Sequence, residues 1–356
     1  MSLFRSRELY AESLPKHLTT MRSALFIATF TLLLSFTVRL AAQDNRFNPE
    51  PGPDPSVHDP VVAKEGDTYY LFCTGFGISV LSSTDMVNWK REKPVFPEAP
   101  AWAVEAVPGY RGHTWAPDII KHNDKYYLYY SVSTFGKNNS CIGVATNKTL
   151  DPASPDFKWE DRGMVLRSIP NRDMWNAIDP NIVIDENGTG WMSFGSFWEG
   201  IKLVKLDESL CALAEPQEWY PISGRPRTIN DIDVQPGGGA VEAPFIYRRG
   251  SFYYLFVSFD MCCRGAQSTY NVVVGRSRKV TGPYVDREGN VMTKGAGTLV
   301  VKGNERFPGV GHNAVAGFDG KDFLFFHGYD MERNGRSILL IREISWDEQG
   351  WPTVVL

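Results

Sequence analysis

The sequence predicts an all-β chain folded as a five-bladed β-propeller, and three observations carry that expectation. The stretch VHDPVVAKEGDTYYLF at 57–72 reads as two antiparallel strands, because β-branched and aromatic residues flank a turn at Glu65-Gly66-Asp67. The unit then recurs. With Pro60 as register mark, copies fall at Pro117, Pro180, Pro244 and Ala314, separated by 57, 63, 64 and 70 residues. Aromatic runs at 126–129, 253–256 and 323–326 begin nine residues after their marks, and WMSF at 191–194 follows a turn at Glu186-Asn187-Gly188. Four short strands with their turns occupy about 40–60 residues, the size of one blade per repeat. An all-β sandwich is the competing architecture, but it gives no reason for a shared mark-to-aromatic interval.

A propeller has a chemical consequence. The first strand of each blade lies innermost, so equivalent positions on the five first strands converge on the axis. Immediately before the marks stand Asp59, Ala116, Asp179, Ala243 and Asn313, and one position further back His58, Trp115, Ile178, Glu242 and His312. Three carboxyl groups, histidine and tryptophan would then share one pocket. Acids are seldom buried without a partner or a task, and neighbouring acids shift one another's pKa values. Two carboxyl groups across a pocket are the equipment of a glycosidase, with one here to spare. An Asp before Pro is commonly only a turn or a capped strand end; three acids in register outweigh that reading.

In chain order, residues 1–20 read as an upstream over-extension ahead of Met21, and 21–42 as a signal peptide. Arg22 precedes a fifteen-residue apolar run at 24–38, and Leu40-Ala41-Ala42 resembles a small-residue cleavage site. Such a run is short for a membrane span. Residues 43–56 are a polar, proline-rich lead-in, and 57–356 hold the propeller. The expected location is secreted or periplasmic, with no stable membrane partner and a monomeric state. The chain carries 37 basic and 41 acidic residues, net −4; removing residues 1–42, with five basic and two acidic side chains, takes this to about −7. That balance argues against nucleic acid. Five cysteines without a CxxC pair support neither a zinc site nor a disulfide frame, and buried thiols are the expectation.

Residues 91–114, with prolines at 94, 97, 100 and 108, form the crossing from blade I to blade II. Trp102 in that crossing either stacks on sugar or plugs a gap between blades; the sequence leaves both open. Blade II adds a polar connection with one aromatic tip, Phe135. Blade III contributes NAIDPN at 176–181 and GSFWEGI at 195–201, and blade IV MCCRG at 261–265 with STY at 268–270.

These pieces, with HDP at 58–60, WAPDI at 115–119, EAPFI at 242–246 and GHN at 311–313, resemble glycoside hydrolase family 43, and within it the endo-1,5-α-L-arabinanases. The resemblance spans about 57–352. It implies a five-bladed propeller that hydrolyses internal α-1,5-arabinofuranosyl bonds of plant cell-wall arabinan or arabino-oligosaccharides with inversion. Asp59 matches the general base, Glu242 the general acid, and Asp179 the carboxyl that tunes and orients that acid. His312 matches an axial histidine that helps hold a calcium ion or its waters. Calcium prefers oxygen ligands, so such an ion would be largely water-coordinated; sodium, or a plain hydrogen-bonding role for His312, stays open. Substrate contacts carried over are Trp115, Phe135, Asn176, Ser196, Phe197 and Trp198. His58 and His327 read as structural. Glu199, His327-Gly328-Tyr329 and a long segment at 225–239 depart from the family pattern.

Two rivals remain at this stage. An exo-acting relative (α-L-arabinofuranosidase, exo-arabinanase or β-xylosidase) differs only in the shape of the groove. A non-catalytic sugar-binding propeller would have no use for three axial acids.

Overall fold

A computed structural model describes residues 52–228 and 238–356. The leader, most of the lead-in and the centre of the 225–239 segment lie outside the described residues.

Blade I consists of β1 (Val61–Glu65), β2 (Thr68–Cys73), β4 (Ser79–Ser83) and β5 (Lys90–Arg91). Between β2 and β4, the short β3 (Gly75–Phe76) leaves blade I and pairs with the next blade, Gly75 opposite Thr114 and Phe76 opposite His113. Blade II holds β6 (His113–His122), β7 (Lys125–Val132), β8 (Ser140–Asn147) and β9 (Glu160–Ser168). Blade III holds β10 (Asn181–Ile184), β11 (Gly190–Phe194), β12 (Ile201–Lys205) and β13 (Trp219–Ser223). Blade IV is β14 (Val241–Arg249), β15 (Phe252–Phe259), β16 (Asn271–Ser277) and β17 (Thr298–Lys302), and blade V is β18 (Val310–Phe318), β19 (Lys321–Asp330) and β20 (Arg336–Glu343). Neighbouring strands within each blade are antiparallel. The first strands touch in a closed ring, β1 to β6, β6 to β10, β10 to β14, β14 to β18 and β18 back to β1. The five expected blades are therefore present, around one axis.

Turn chemistry fixes the hairpins. Between β6 and β7, Asn123 and Asp124 have φ of 46° and 61°; between β18 and β19, Asp319 and Gly320 have 52° and 78°. Positive φ at both central residues is the type I′ geometry whose twist matches antiparallel strands, and Asn, Asp and Gly tolerate it best. Within the blades, alternate strand positions turn apolar side chains toward the neighbouring sheets. Trp175, Phe194 and Trp219 pack together at ring distances of 5.2–5.8 Å.

The crossing at 91–114 contains one helix, α1 (Ala101–Ala106), which the proline-rich composition did not announce. It decides the Trp102 question. The ring tilts against Tyr130 at 6.2 Å, a Cβ on Gly143 would sit 2.7 Å from it, and its Nε1 donates to Asp161 at 2.9 Å. Trp102 is a plug against blade II.

Blade V has three strands of its own, and the lead-in supplies the remainder. The Leu339 N–H donates to the Pro55 carbonyl at 2.9 Å, Ser56 Oγ to the Ser337 carbonyl at 3.0 Å, and Arg336 Nε to Ser56 Oγ at 2.9 Å. Residues near the start of the described chain thus lie along β20 and close the ring. The C-terminal pair β21 (Ser345–Trp346) and β22 (Pro352–Thr353) instead leads to the edge of blade IV, where the Val354 N–H reaches the Val300 carbonyl at 3.1 Å.

Candidate active site

The register marks acquire a physical meaning at the axis. Pro117 and Pro244 lie where the pairing of β6 with β7 and of β14 with β15 slips, and Ala314 ends the corresponding slip in blade V. A bulge leaves a residue without a ladder partner, so proline loses nothing there. Pro60 and Pro180 stand directly ahead of β1 and β10. Asp59 and Asp179 have φ of 56°, Ala243 54° and His312 53°. Left-handed backbone is uncommon for residues other than glycine and redirects the chain locally. In blade V it falls on His312, one position earlier than in blades I, III and IV.

Asp59, Asp179, Glu242 and His312 meet as a result. His312 Nδ1 lies 3.0 Å from Asp59 Oδ1, and Thr74 Oγ1 donates to the other Asp59 oxygen. Glu242 accepts from Tyr270 OH at 2.7 Å and from Ser196 Oγ at 2.8 Å. Asp179 accepts the Ala243 N–H at 3.1 Å and donates its own N–H to Ser131 Oγ at 3.0 Å. The His312 N–H is held by Ser258 Oγ at 2.9 Å.

Charge divides unevenly over these groups. Burial pushes the Asp59 carboxyl up, but His312 and His58 beside it prevail and hold it well below the usual carboxylate range. Burial lowers His312, yet Asp59 and the other two acids raise it to about 9, so it is an imidazolium at neutral pH. Burial raises Asp179 to about 8, helped by the charges of Glu242 and Asp59. Glu242 is raised by burial and by Asp59, against its bonds to Tyr270 and Ser196. His312 and Asp59 form a buried ion pair beside two carboxyls that burial biases toward their protonated forms, so Asp59 is the one suited to accept a proton and Glu242 is shifted toward giving one.

Asp179 carries a stability cost that can be measured. Its folded pKa of about 8 stands above its ordinary 3.8, so between these values the folded chain holds a proton that the unfolded chain has released. Stability then falls as pH rises through that window. Asp179→Asn keeps an acceptor for the Ala243 N–H and removes the ionisation. Thermal melts from pH 4 to 9 should show the variant above wild type by about 5 °C at pH 8, converging toward pH 4. A constant gap would contradict the assignment.

The remaining expected site residues divide. Trp115 is half-buried, its Nε1 donating to His113 Nδ1 at 3.2 Å, and Phe135 is 77% exposed. Phe197 is half-buried. Trp198 lies deeper than its neighbour. It is 2% exposed and packs in the interior, because the chain turns through φ of 54° and 42° at Phe197 and Trp198 and sends the second ring inward. Asn176 and Ser196 are buried as well: Asn176 Oδ1 accepts from Ser140 Oγ at 2.6 Å, and Ser196 holds Glu242. His58 and His327 lie beside Asp59, with Nδ1 atoms 3.6 and 3.7 Å from its Oδ1. Sequence reasoning missed Thr74, Tyr270, Ser131 and Ser258. Each lies on a second strand or a connection, away from the register marks; only STY at 268–270 gave a signal. Phe76 was missed too. It is 39% exposed and stacks edge-on against His113 at 5.3 Å. Cys262 and Cys263 form a disulfide between adjacent residues, which the sequence did not indicate and which ties no blades together; Cys73 and Cys141 are buried thiols and Cys211 is half-buried.

Comparison with known proteins places the chain in a family. The family model described as glycosyl hydrolases family 43 matches residues 53–352. An extracellular exo-α-(1→5)-L-arabinofuranosidase of Cellvibrio japonicus is 54% identical over 298 residues, 84% of this chain and 86% of the relative. An extracellular endo-α-(1→5)-L-arabinanase of Bacillus subtilis is 41% identical over 301 residues, 83% and 87% of the two chains. Among solved structures, an α-L-arabinanase of Cellvibrio cellulosa complexed with arabinohexaose superposes with a TM-score of 0.83 at 52% identity, covering 85% of this chain and 96% of that one. Five blades, an axial trio of acids and a family match across nearly the whole described chain lead to one conclusion: the chain belongs to glycosyl hydrolase family 43.

Proposed function

We propose that the chain is a secreted, inverting, endo-acting arabinanase that cleaves α-1,5-L-arabinofuranosyl bonds of plant cell-wall arabinan. The observation that carries the reading is geometric: Asp59 lies 3.0 Å from His312 Nδ1, Glu242 is held by Tyr270 and Ser196, and Asp179 accepts the Ala243 N–H beside it. Asp59, held ionised by His312, is the general base that takes a proton from the attacking water. Glu242, whose pKa burial raises, gives its proton to the leaving oxygen. Asp179 orients Glu242 through the Ala243 backbone, whose N–H it accepts at 3.1 Å. Base and acid come from blades I and IV, on separate strands, as an inverting site with a water between its carboxyl groups needs. Export is supported by the extracellular relatives.

Endo action is favoured by the rim. Phe76 on the β2–β4 connection and Phe135 on the β7–β8 connection present exposed rings on either side of the strand that carries Trp115. Flat rings there suit a sugar chain that runs past the pocket in both directions. The exo reading draws on the 54% identical relative. Linear arabinan separates the two. Rapid viscosity loss with a ladder of oligosaccharides is expected, and the first product by NMR should be the β anomer. Arabinose alone, with slow viscosity loss, moves the chain to the exo-acting members; the α anomer overturns inversion.

The same reading sets a calcium ion near His312. The axial cavity is lined by the marks and by Asp179, His312 and Asn313. The lining also includes Asp118, whose Oδ2 already accepts from Asn181 and the Ile182 N–H, and a protonated His312 offers no lone pair, so these residues would supply calcium few oxygens and fit only an ion that keeps most of its water. When bound, it supplies positive charge facing the acids.

A further inference from the structure

The proposal concerns Tyr329, part of the HGY departure at 327–329, and rests on Asp59 being the base. We propose that Tyr329 is a positioning residue, the hub of a hydrogen-bond frame that fixes Asp59 through His58 and His327.

Alternate strand residues share a face, so His327 and Tyr329 on β19 point the same way. Both are buried. The Tyr329 hydroxyl lies 2.6 Å from the Cys263 N–H, 3.3 Å from His327 Nε2 and 3.4 Å from His58 Nε2. Asp59 donates its backbone N–H to His327 Nδ1 at 3.2 Å. Ser268 is a further partner of the Tyr329 hydroxyl, and the contacts to the histidines set the path of the frame. His327 Nδ1 accepts from Asp59, so its ring is neutral with hydrogen on Nε2, which donates to the Tyr329 oxygen. The Cys263 N–H donates to the same oxygen. The hydroxyl also contacts His58 Nε2. The other ring nitrogen of His58, Nδ1, lies 3.6 Å from Asp59 Oδ1.

Asp59 is thus approached on two sides from one hydroxyl: its backbone through His327 and its carboxylate through His58. The rings leave little slack, with centroids of His58 and His327 4.1 Å apart and His327 and Tyr329 5.3 Å apart. Asp59 also needs holding, since its φ of 56° is one that aspartate adopts sparingly. A base displaced by even part of an ångström loses alignment with its water, and misplacement of 1 Å can cost about 100-fold. Tyr329 touches no reacting atom in this scheme; it acts through the two histidines.

The test is a double-mutant cycle on linear arabino-oligosaccharides with Tyr329→Phe, His58→Ala and the pair. Each single variant should lower kcat about tenfold with KM within about twofold, and the pair should fall little further, because both changes cut one path. His58→Asn, whose amide can restore a donor toward Asp59, should recover most of the loss. Melting temperature is measured alongside, and Tyr329→Phe should keep it within a few degrees. Wild-type kcat in Tyr329→Phe, additive losses near 100-fold, or a change confined to KM each overturn the proposal. An active wild type with such results leaves the arabinanase reading standing, whereas a wild type without turnover overturns both.

Discussion

Glu242→Gln should lower kcat on linear arabinan by about 10³-fold, within the 10²–10⁴ range for loss of a general acid. It should lower turnover far less on an arabinofuranoside with an aryl leaving group. The two substrates differ in what the acid must do. A sugar alkoxide leaves only as its proton arrives, whereas a phenolate of low pKa leaves unaided. Glutamine keeps an oxygen for the Tyr270 and Ser196 hydroxyls, which bond Glu242 at 2.7 and 2.8 Å, so the packing around position 242 is retained. Equal losses on both substrates would mean that Glu242 binds or orients rather than protonates. Its environment argues for protonation, because burial and the Asp59 charge raise its pKa.

Asp59→Ala should be nearly inactive, down by about 10³–10⁴-fold, and should regain turnover in azide. Removing the carboxylate leaves water without a base and opens space beside His312 and Thr74. Azide needs no deprotonation. Entering from the same side as water, it should give the β-configured arabinofuranosyl azide, identifiable by NMR. An α-configured azide, or no rescue with substrate binding intact, would argue against Asp59 as base. The variant should also lower the pKa of His312, because the Asp59 charge is what raises that ring to about 9 against its burial.

Much of this site was legible in the sequence because a propeller turns sequence register into spatial convergence. Asp59, Asp179 and Glu242 could be placed together once the repeat was found. The proline marks proved informative for a reason not visible beforehand: they sit at strand starts and ladder slips, where a missing N–H is harmless. Trp198 shows the limit. GSFWEGI announces two adjacent aromatics, but which ring faces outward depends on two left-handed residues, and neither φ is encoded by a glycine at those positions. Nor does the sequence show that Ser196 donates to Glu242. The histidines fared similarly. The register sets His58 next to Asp59, but His327 lies away from the marks, and its relation to Asp59 comes from a contact across 268 residues of chain.

Those long-range contacts give ring closure a meaning beyond architecture. Asp59 belongs to the first blade, yet His312 and His327 come from the last, and the lead-in beside β20 holds these two blades together. The reaction centre therefore straddles the seam of the ring. A chain with only blades II to IV and their hairpins formed still lacks the Asp59–His312 pair. Activity becomes a property of the finished circle, appearing only when the two ends of the chain have found each other.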